Sequence, residues 1–199
     1  MNWLNFLRNP APYFKKLLIE LGADFYLDKN DRRILEEKVL PWVAESDQFQ
    51  RILFVGCEWY TRGYHGFFKK KEYWTLELDP ALRKYGAKNH ITDKLQNAPR
   101  HFQSGYFDAV FCYGLIGFGI NDQIALVQAI QACAGLLRPN GLLVLGWDGE
   151  GSRADVDVDE ALLLAQWLPF QFPPLQTDKY FTPNQGQHQF RFLIRSGAA

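Results

Sequence analysis

Cysteine is scarce in this sequence: Cys57, Cys112 and Cys133 are the only three in 199 residues. No two form a CxxC pair, which argues against a disulfide framework or a cysteine-built zinc site and fits a reducing cytoplasm. Neither sign of charge is in excess, since 22 Lys and Arg balance 22 Asp and Glu. Neutralising a nucleic-acid backbone takes surplus cations, so non-specific binding to DNA or RNA is not the expected main activity. No apolar run approaches the roughly 20 residues of a membrane-spanning helix. The opening MNWLNFLRNP lacks the charged start and long apolar core of a secretory signal. Internal repeats, low-complexity tracts and dividing linkers are missing too. Glycine is missing where it would say most. After the apolar run Ile52–Val55 the turn reads GCEWYT, with Glu58 and Thr61 where a GxGxxG fingerprint needs its later glycines. That counts against a nicotinamide-dependent oxidoreductase.

What is present is a hydrophobic fraction of 47% and an aromatic fraction of 16%. This is the composition of a well-packed globular chain of one domain. Residues 1–50 read as a helical cover belonging to that domain. Trp3, Leu4 and Leu7 have helical spacing before Pro10. Phe14, Leu17, Leu18 and Leu21 share a second face that Gly22 would end. A third helix is predicted from Asn30 or Asp31, with Ile34, Leu35, Val39 and Trp42 buried and Pro41 kinking or ending it. Packing on a sheet is the plain role for this cover; Arg8, Lys15 and Lys16 leave a lid or docking role open.

From Arg51 to Gly146 short apolar runs alternate with helical ones. Strands are predicted at Ile52–Val55, Tyr73–Leu78, Asn89–Ile91, Phe107–Cys112 and Gly141–Gly146. A helix follows Gly56, a short one follows Pro80, and Leu95–Phe102 is irregular. A long helix runs from Asp122, its cap, to Leu137, with Ile124, Val127, Ile130 and Ala134 on one face. This order predicts an α/β fold, a doubly wound and mainly parallel sheet covered on both faces. Arg138-Pro139-Asn140-Gly141 turns into the fifth strand. GWDGEGSRADVDVDE reads as an acidic loop and Glu160–Leu168 as a helix with Leu163, Leu164 and Trp167 apolar. Lys179–Thr182 pairs with Phe190–Arg195 as an antiparallel hairpin near the sheet edge.

The stretch Arg51–Pro80 organises the rest: a buried strand, a glycine turn, a crossover, and a second strand tipped by Glu77 and Asp79. That is half of a nucleotide-type site. Together with two later segments it resembles the class I S-adenosyl-L-methionine-dependent methyltransferases. RILFVGC resembles their first strand and turn, and YWTLELDP their second strand with its ribose-binding acid. FDAVFCYGL resembles the fourth strand, and LLRPNGLLVLGW the turn into the fifth. The resemblance spans about Arg51–Trp147 and, more loosely, the terminal hairpin. It implies a sheet whose last strand is antiparallel, S-adenosyl-L-methionine as cofactor, and direct methyl transfer to a small or polymer-attached acceptor.

Residue by residue, Gly56 matches the first turn glycine and Cys57 the small or sulfur-bearing residue after it. Glu77 matches the acid that accepts from both ribose hydroxyls, with Leu78 beside it in the cofactor site. Strand register favours Glu77 over Asp79, and a solvated strand end is the plain reading of either acid. Asp93 and Lys94 match positions flanking the adenine; an Asx turn or helix cap explains them equally well. Tyr113 matches a position near the sulfonium, where a ring face attracts positive sulfur; a packed core tyrosine is the alternative.

Two departures bear on activity. Phe54 stands where the family has an acid late in its first strand, and Glu58 and Tyr60 stand where it has further glycines. A loop this bulky either blocks the cofactor's methionine end or, through Glu58, supplies a carboxylate to the cofactor's ammonium. The second is the expectation. No catalytic base stands out. His65, His90, His101 and His188 are isolated, and Asp148 and Glu150, past the fifth strand, read best as a solvated loop. Arg62, Lys69, Lys70 and Lys71 read as a solvated helix end, and Cys57 and Cys112, ending neighbouring strands, as buried thiols. FCYGLIGFGIN lacks the Asn-Pro-Pro-Tyr type motif of adenine-N6, cytosine-N4 and glutamine methylation. A non-catalytic binding module on the same fold is the alternative function.

Overall fold

The computed structural model describes residues 18–149, 154–163, 167–183 and 188–197. The predicted helix at Trp3–Leu7 and most of the one over Phe14–Leu21 lie outside them. The helical turn 18–20 ends at Gly22 as expected. Gly22 has φ +97°, and the N–H groups of Gly22 and Ala23 return to the carbonyls of Ile19 and Leu18, a Schellman ending.

Helix α1 (Asn30–Ile34), a π-helical turn (Leu35–Val39) and α2 (Leu40–Glu45) form one continuous rod. Pro41 does not end it. Proline has no N–H to give, and its ring crowds the carbonyl four residues back. The wide turn ahead of it, in which the Leu40 N–H reaches the Leu35 carbonyl, accommodates that conflict. Leu35, Val39, Leu40 and Val43 form the buried stripe of the rod.

Strands β1 (Arg51–Val55), β2 (Glu72–Glu77), β3 (Asn89–Thr92), β4 (Phe107–Tyr113), β5 (Leu137–Asp148), β6 (Trp167–Pro169), β7 (Lys179–Phe181) and β8 (His188–Arg195) form one sheet. The order is β3-β2-β1-β4-β5-β8-β6, with β7 also on β8. β1 to β5 are parallel to one another and β8 is antiparallel to β5. This is the predicted α/β class with its reversed last strand. β8 is one strand in from the edge, as expected: β5 lies on one side, and the short β6 and β7 share the other. The order reverses between β1 and β4, which opens a crevice beyond their C-terminal ends.

Alternation along β1 sends Leu53 and Val55 to one face of the sheet and Ile52 and Phe54 to the other. The first face packs under α3 (Gln123–Leu136) and α4 (Val158–Leu163). The second packs under the rod and is aromatic, with Phe54, Tyr64, Phe68, Phe111, Phe190 and Phe192 in one cluster. Phe54, where an acid was expected by resemblance, is stacked on Phe111 and edge-on to Tyr64.

Asp122 caps α3 as predicted, accepting from the Ala125 N–H at 2.8 Å. The buried stripe of α3 differs from the expected one: Leu126, Ala129, Ile130, Cys133 and Leu136 are inward and Ile124 is 72% exposed. IALVQAIQACAGL is apolar nearly all round, so periodicity does not fix its phase. No α-helix follows Gly56; the crossover holds only a 3-10 turn, Arg62–Gly66. Glycine is a poor helix former, and a Cβ at Gly63 would lie 2.9 Å from the Tyr26 hydroxyl. α4 is described as far as Leu163, and Trp167 and Leu168, expected to be helical, belong to β6, which pairs with β8. Among the described residues no helix is long and apolar enough to cross a membrane.

Candidate functional site

Beyond the C-terminal ends of β1, β2 and β4 lies a cavity of about 870 Å³, within the usual range for small-molecule sites. One wall is the turn after β1. Gly56 continues the ladder, its N–H donating to the Leu76 carbonyl at 2.8 Å, and then adopts φ +94°, a conformation that favours glycine. The Cys57 N–H that follows donates to Glu77 Oε2 at 2.8 Å, and the Asp79 N–H donates to Oε1 at 2.9 Å. A carboxylate has about four acceptor sites, so Glu77 is held rigid with lone pairs still open. Glu77 and Leu78 both line the cavity. Asp79 turns away to accept from Ala81 N–H at 2.8 Å. Burial and the neighbouring Glu77 charge push the Cys57 thiol up to about 12, which disfavours its thiolate form.

Asp93 and Lys94 also line the cavity, and the Asp93 carboxylate is engaged by its sequence neighbours. Asp93 Oδ1 accepts from the Lys94 N–H at 2.7 Å and from Asn97 at 2.9 Å, and Oδ2 lies 2.8 Å from His101 Nε2. These bonds, His101's first, hold the Asp93 carboxyl down at about 2.

The bulky loop leaves the cavity open. Tyr60 and Glu58 line it, and Trp59 stacks edge-on to Tyr60 at 5.2 Å. The Glu58 N–H is taken by Thr61 Oγ1 at 3.0 Å; its carboxylate has no hydrogen-bond partner among the described residues. Over Tyr60 lies a side chain the sequence did not single out. Arg32, in α1, is 7% exposed, with its guanidinium carbon 4.7 Å from the Tyr60 ring centre and 4.3 Å from that of Tyr113. Its closest hydrogen bond is a long one, to the Tyr64 hydroxyl at 3.5 Å, and Asp31 is 3.8 Å away. Tyr64 in turn donates to Glu36 at 2.9 Å. A guanidinium carries five N–H donors, so Arg32 is a buried cation held by ring faces, with most of its donors unused among the described residues.

Tyr113 combines its two sequence readings. It is 3% exposed, yet it lines the cavity and donates its hydroxyl to Asp31 Oδ2 at 2.6 Å. Burial, opposed by the Arg32 charge and helped by Asp31, moves its hydroxyl well above the ordinary tyrosine range. One face of its ring carries Arg32. Beyond it stand His188 and Asp148, a pair that sequence separation concealed: Nδ1 and Oδ1 are 2.8 Å apart. His188's hydrogen bond holds the Asp148 carboxyl below its ordinary value.

The remaining histidines lie elsewhere: His65 is bound to the Arg62 carbonyl at 2.6 Å and His90 to Thr75 at 2.8 Å. Arg62 is not solvated. It holds Asp24 at 2.9 Å and the carbonyls of Ile19 and Ala23. Cys112 meets the thiol of Cys133 at 3.5 Å. Glu150 is outside the described residues. The cavity wall carries six carboxylates, Asp31, Glu58, Glu77, Asp93, Asp122 and Asp148, against three cations, Lys29, Arg32 and Lys94, in a chain of zero net charge.

No protein-family profile matches the sequence, and no curated protein is detectably similar to it. Solved structures do match the fold. The N-methyltransferase NodS from Bradyrhizobium japonicum WM9, in complex with S-adenosyl-L-homocysteine, superposes with a TM-score of 0.65 at 14% identity over 96% of both chains. Magnesium protoporphyrin IX methyltransferase (ChlM) from Synechocystis PCC 6803, with bound SAM, gives 0.61 at 12% identity over 98% of both. The [4+2]-cyclase SpnF gives 0.63 at 12% over 91% of both. The chain has the class I methyltransferase fold.

Proposed function

We propose that this protein is an S-adenosylmethionine-dependent methyltransferase. The observation that carries the reading is Glu77, fixed by the Cys57 N–H across the glycine turn and facing a cavity large enough for a nucleoside. Open lone pairs on a rigid carboxylate suit a vicinal diol. The rest of the wall suits the cofactor's other groups. Unpaired Glu58 would take its ammonium and the unused donors of Arg32 its carboxylate, while Leu78, Asp93 and Lys94 border the base. The acidic wall favours a ligand of net positive charge, and the sulfonium makes the cofactor one. The cofactor supplies the activated methyl group; the protein's part is to orient an acceptor against it and exclude water. Cytoplasmic location and a small or polymer-attached acceptor remain part of the reading.

SpnF carries the same fold under a cyclase's name, which keeps a second reading in play: a cavity that binds its ligand without transferring a methyl group. Calorimetric titration of S-adenosylmethionine, followed by methyl turnover against a metabolite extract, separates the two. Wild type binds, Glu77→Gln weakens binding about 10- to 100-fold, and Glu58→Gln about tenfold. Unchanged affinity in Glu58→Gln removes its ammonium role, and no binding to wild type removes the cofactor. Binding without turnover selects the second reading.

A further inference from the structure

The Asp148–His188 pair is the last in register between β5 and β8. The His188 side chain is 7% exposed, and its Nε2 is buried with no hydrogen-bond partner among the described residues. A buried imidazolium would leave an N–H unmet at Nε2. The neutral ring with its proton on Nδ1 leaves only a lone pair unmet, at smaller cost. His188 therefore donates to Asp148 without neutralising it. Asp148 is 55% exposed and lines the cavity, one oxygen fixed by His188 and the other without a partner among the described residues. The Tyr113 ring lies tilted against His188 with ring centres 4.8 Å apart, and Asp31, Arg32 and Lys29 are the other charged groups on this part of the wall.

We propose that Asp148 is the acceptor-side carboxylate of the cavity and that the acceptor it receives is an amine. This rests on the methyl-transfer reading above. The amine reacts as its minor neutral form, its proton having been given up to solvent, and donates an N–H to the unused Asp148 oxygen. Its lone pair forms the new N–C bond as the C–S bond breaks with its electron pair to sulfur. Positive charge passes from sulfur to nitrogen, beside a carboxylate placed to stabilise it, and no base is consumed. An alcohol would need a base. Asp148, held low, is a poor proton acceptor, and the His188 lone pair is sealed from the cavity. A carboxylate acceptor would meet like charge. His188 acts as a positioning residue, through Asp148.

The probes are 2-phenylethylamine, 2-phenylethanol and 3-phenylpropanoate, whose rings suit the apolar lip of Leu115, Phe118 and Ile120. Each is titrated calorimetrically with and without S-adenosylhomocysteine, whose own binding is measured first. The amine binds about 10- to 100-fold more tightly than the alcohol or the acid. Asp148→Asn abolishes that preference while S-adenosylhomocysteine affinity stays within about twofold, which also shows that the variant is folded. His188→Asn, whose amide N–H stands near the position of Nδ1–H, keeps the preference and His188→Leu loses it. Absent S-adenosylhomocysteine binding defeats the cofactor reading by itself. An amine bound no better than the alcohol, or a preference that survives Asp148→Asn, overturns the present proposal.

Discussion

Replacing Gly146 by alanine adds one methyl group where Tyr113 and His188 cross β5. The new Cβ would lie 2.3 Å from Tyr113 Cδ2, 2.5 Å from Cε2 and 3.1 Å from His188 Nε2. Ordinary contact begins at 3.4 Å, so the ring must retreat by about 1 Å. It has little room to do so, with Arg32 4.3 Å from its centre, Phe190 at 5.4 Å and its hydroxyl on Asp31. Overpacking of this kind costs about 1–3 kcal/mol. Restricting the unfolded chain returns about 0.4–1 kcal/mol. The net loss, between about 0 and 2.6 kcal/mol and toward the upper end for a contact as short as 2.3 Å, lowers the Tm by up to about 10 °C in a chain of this size. Gly119→Ala is the control, because a Cβ there meets nothing within 4 Å; its Tm should stay level or rise. Differential scanning calorimetry reads both. A Gly146→Ala protein as stable as wild type would refute the claim that Tyr113 is locked in place.

Two further outcomes follow from titratable groups. The Asp93 carboxyl is lowered from 3.8 to about 2, so its stabilising contribution is complete above about pH 4 and is lost as pH falls toward 2. Asp93→Asn should therefore be less stable than wild type at pH 6 by about 0.2–1 kcal/mol, since the pair with His101 is partly exposed, and urea titrations should show the gap closing toward pH 2. All three thiols are buried, with Cys57 pushed up to about 12 and Cys112 raised by its bond to Cys133 and by burial. They should react with a thiol reagent at pH 8 only as fast as the protein unfolds, and rapid labelling of Cys57 in the native protein would contradict its placement.

The sheet was legible because its strands are short apolar runs with sharp ends. Ile52–Val55 stops at a glycine, and Asp122 announces α3 by standing one position ahead of its first turn. Glu77 was legible too, since distance along the chain from Gly56 places it. Arg32 was not. Its importance comes from the meeting of α1 with Tyr60 and Tyr113, and no local pattern encodes which face of a helix meets a ring 81 positions away. The Asp148–His188 bond spans 40 positions and depends on β8 pairing with β5, so the two residues read separately as a loop acid and an isolated histidine. α3 shows the opposite difficulty: with apolar residues on every side, the pattern held too much hydrophobicity to choose a face.

The contacts of the α1–α2 rod also set an order of events during synthesis. Asn30 donates to the Pro183 carbonyl 153 positions later, and Asp31 receives Tyr113 from 82 positions later. At about 5–20 residues per second, residue 113 is added some 4–16 s after residue 31, and residue 183 some 8–30 s after residue 30. Throughout that interval Leu35, Val39, Leu40 and Val43 have at most the β1 and β2 part of their sheet to cover. The segment that completes the cavity wall is thus made before the strands it rests against. A nascent chain carries that greasy stripe incompletely covered until β4, β5 and finally β8 arrive to seat it.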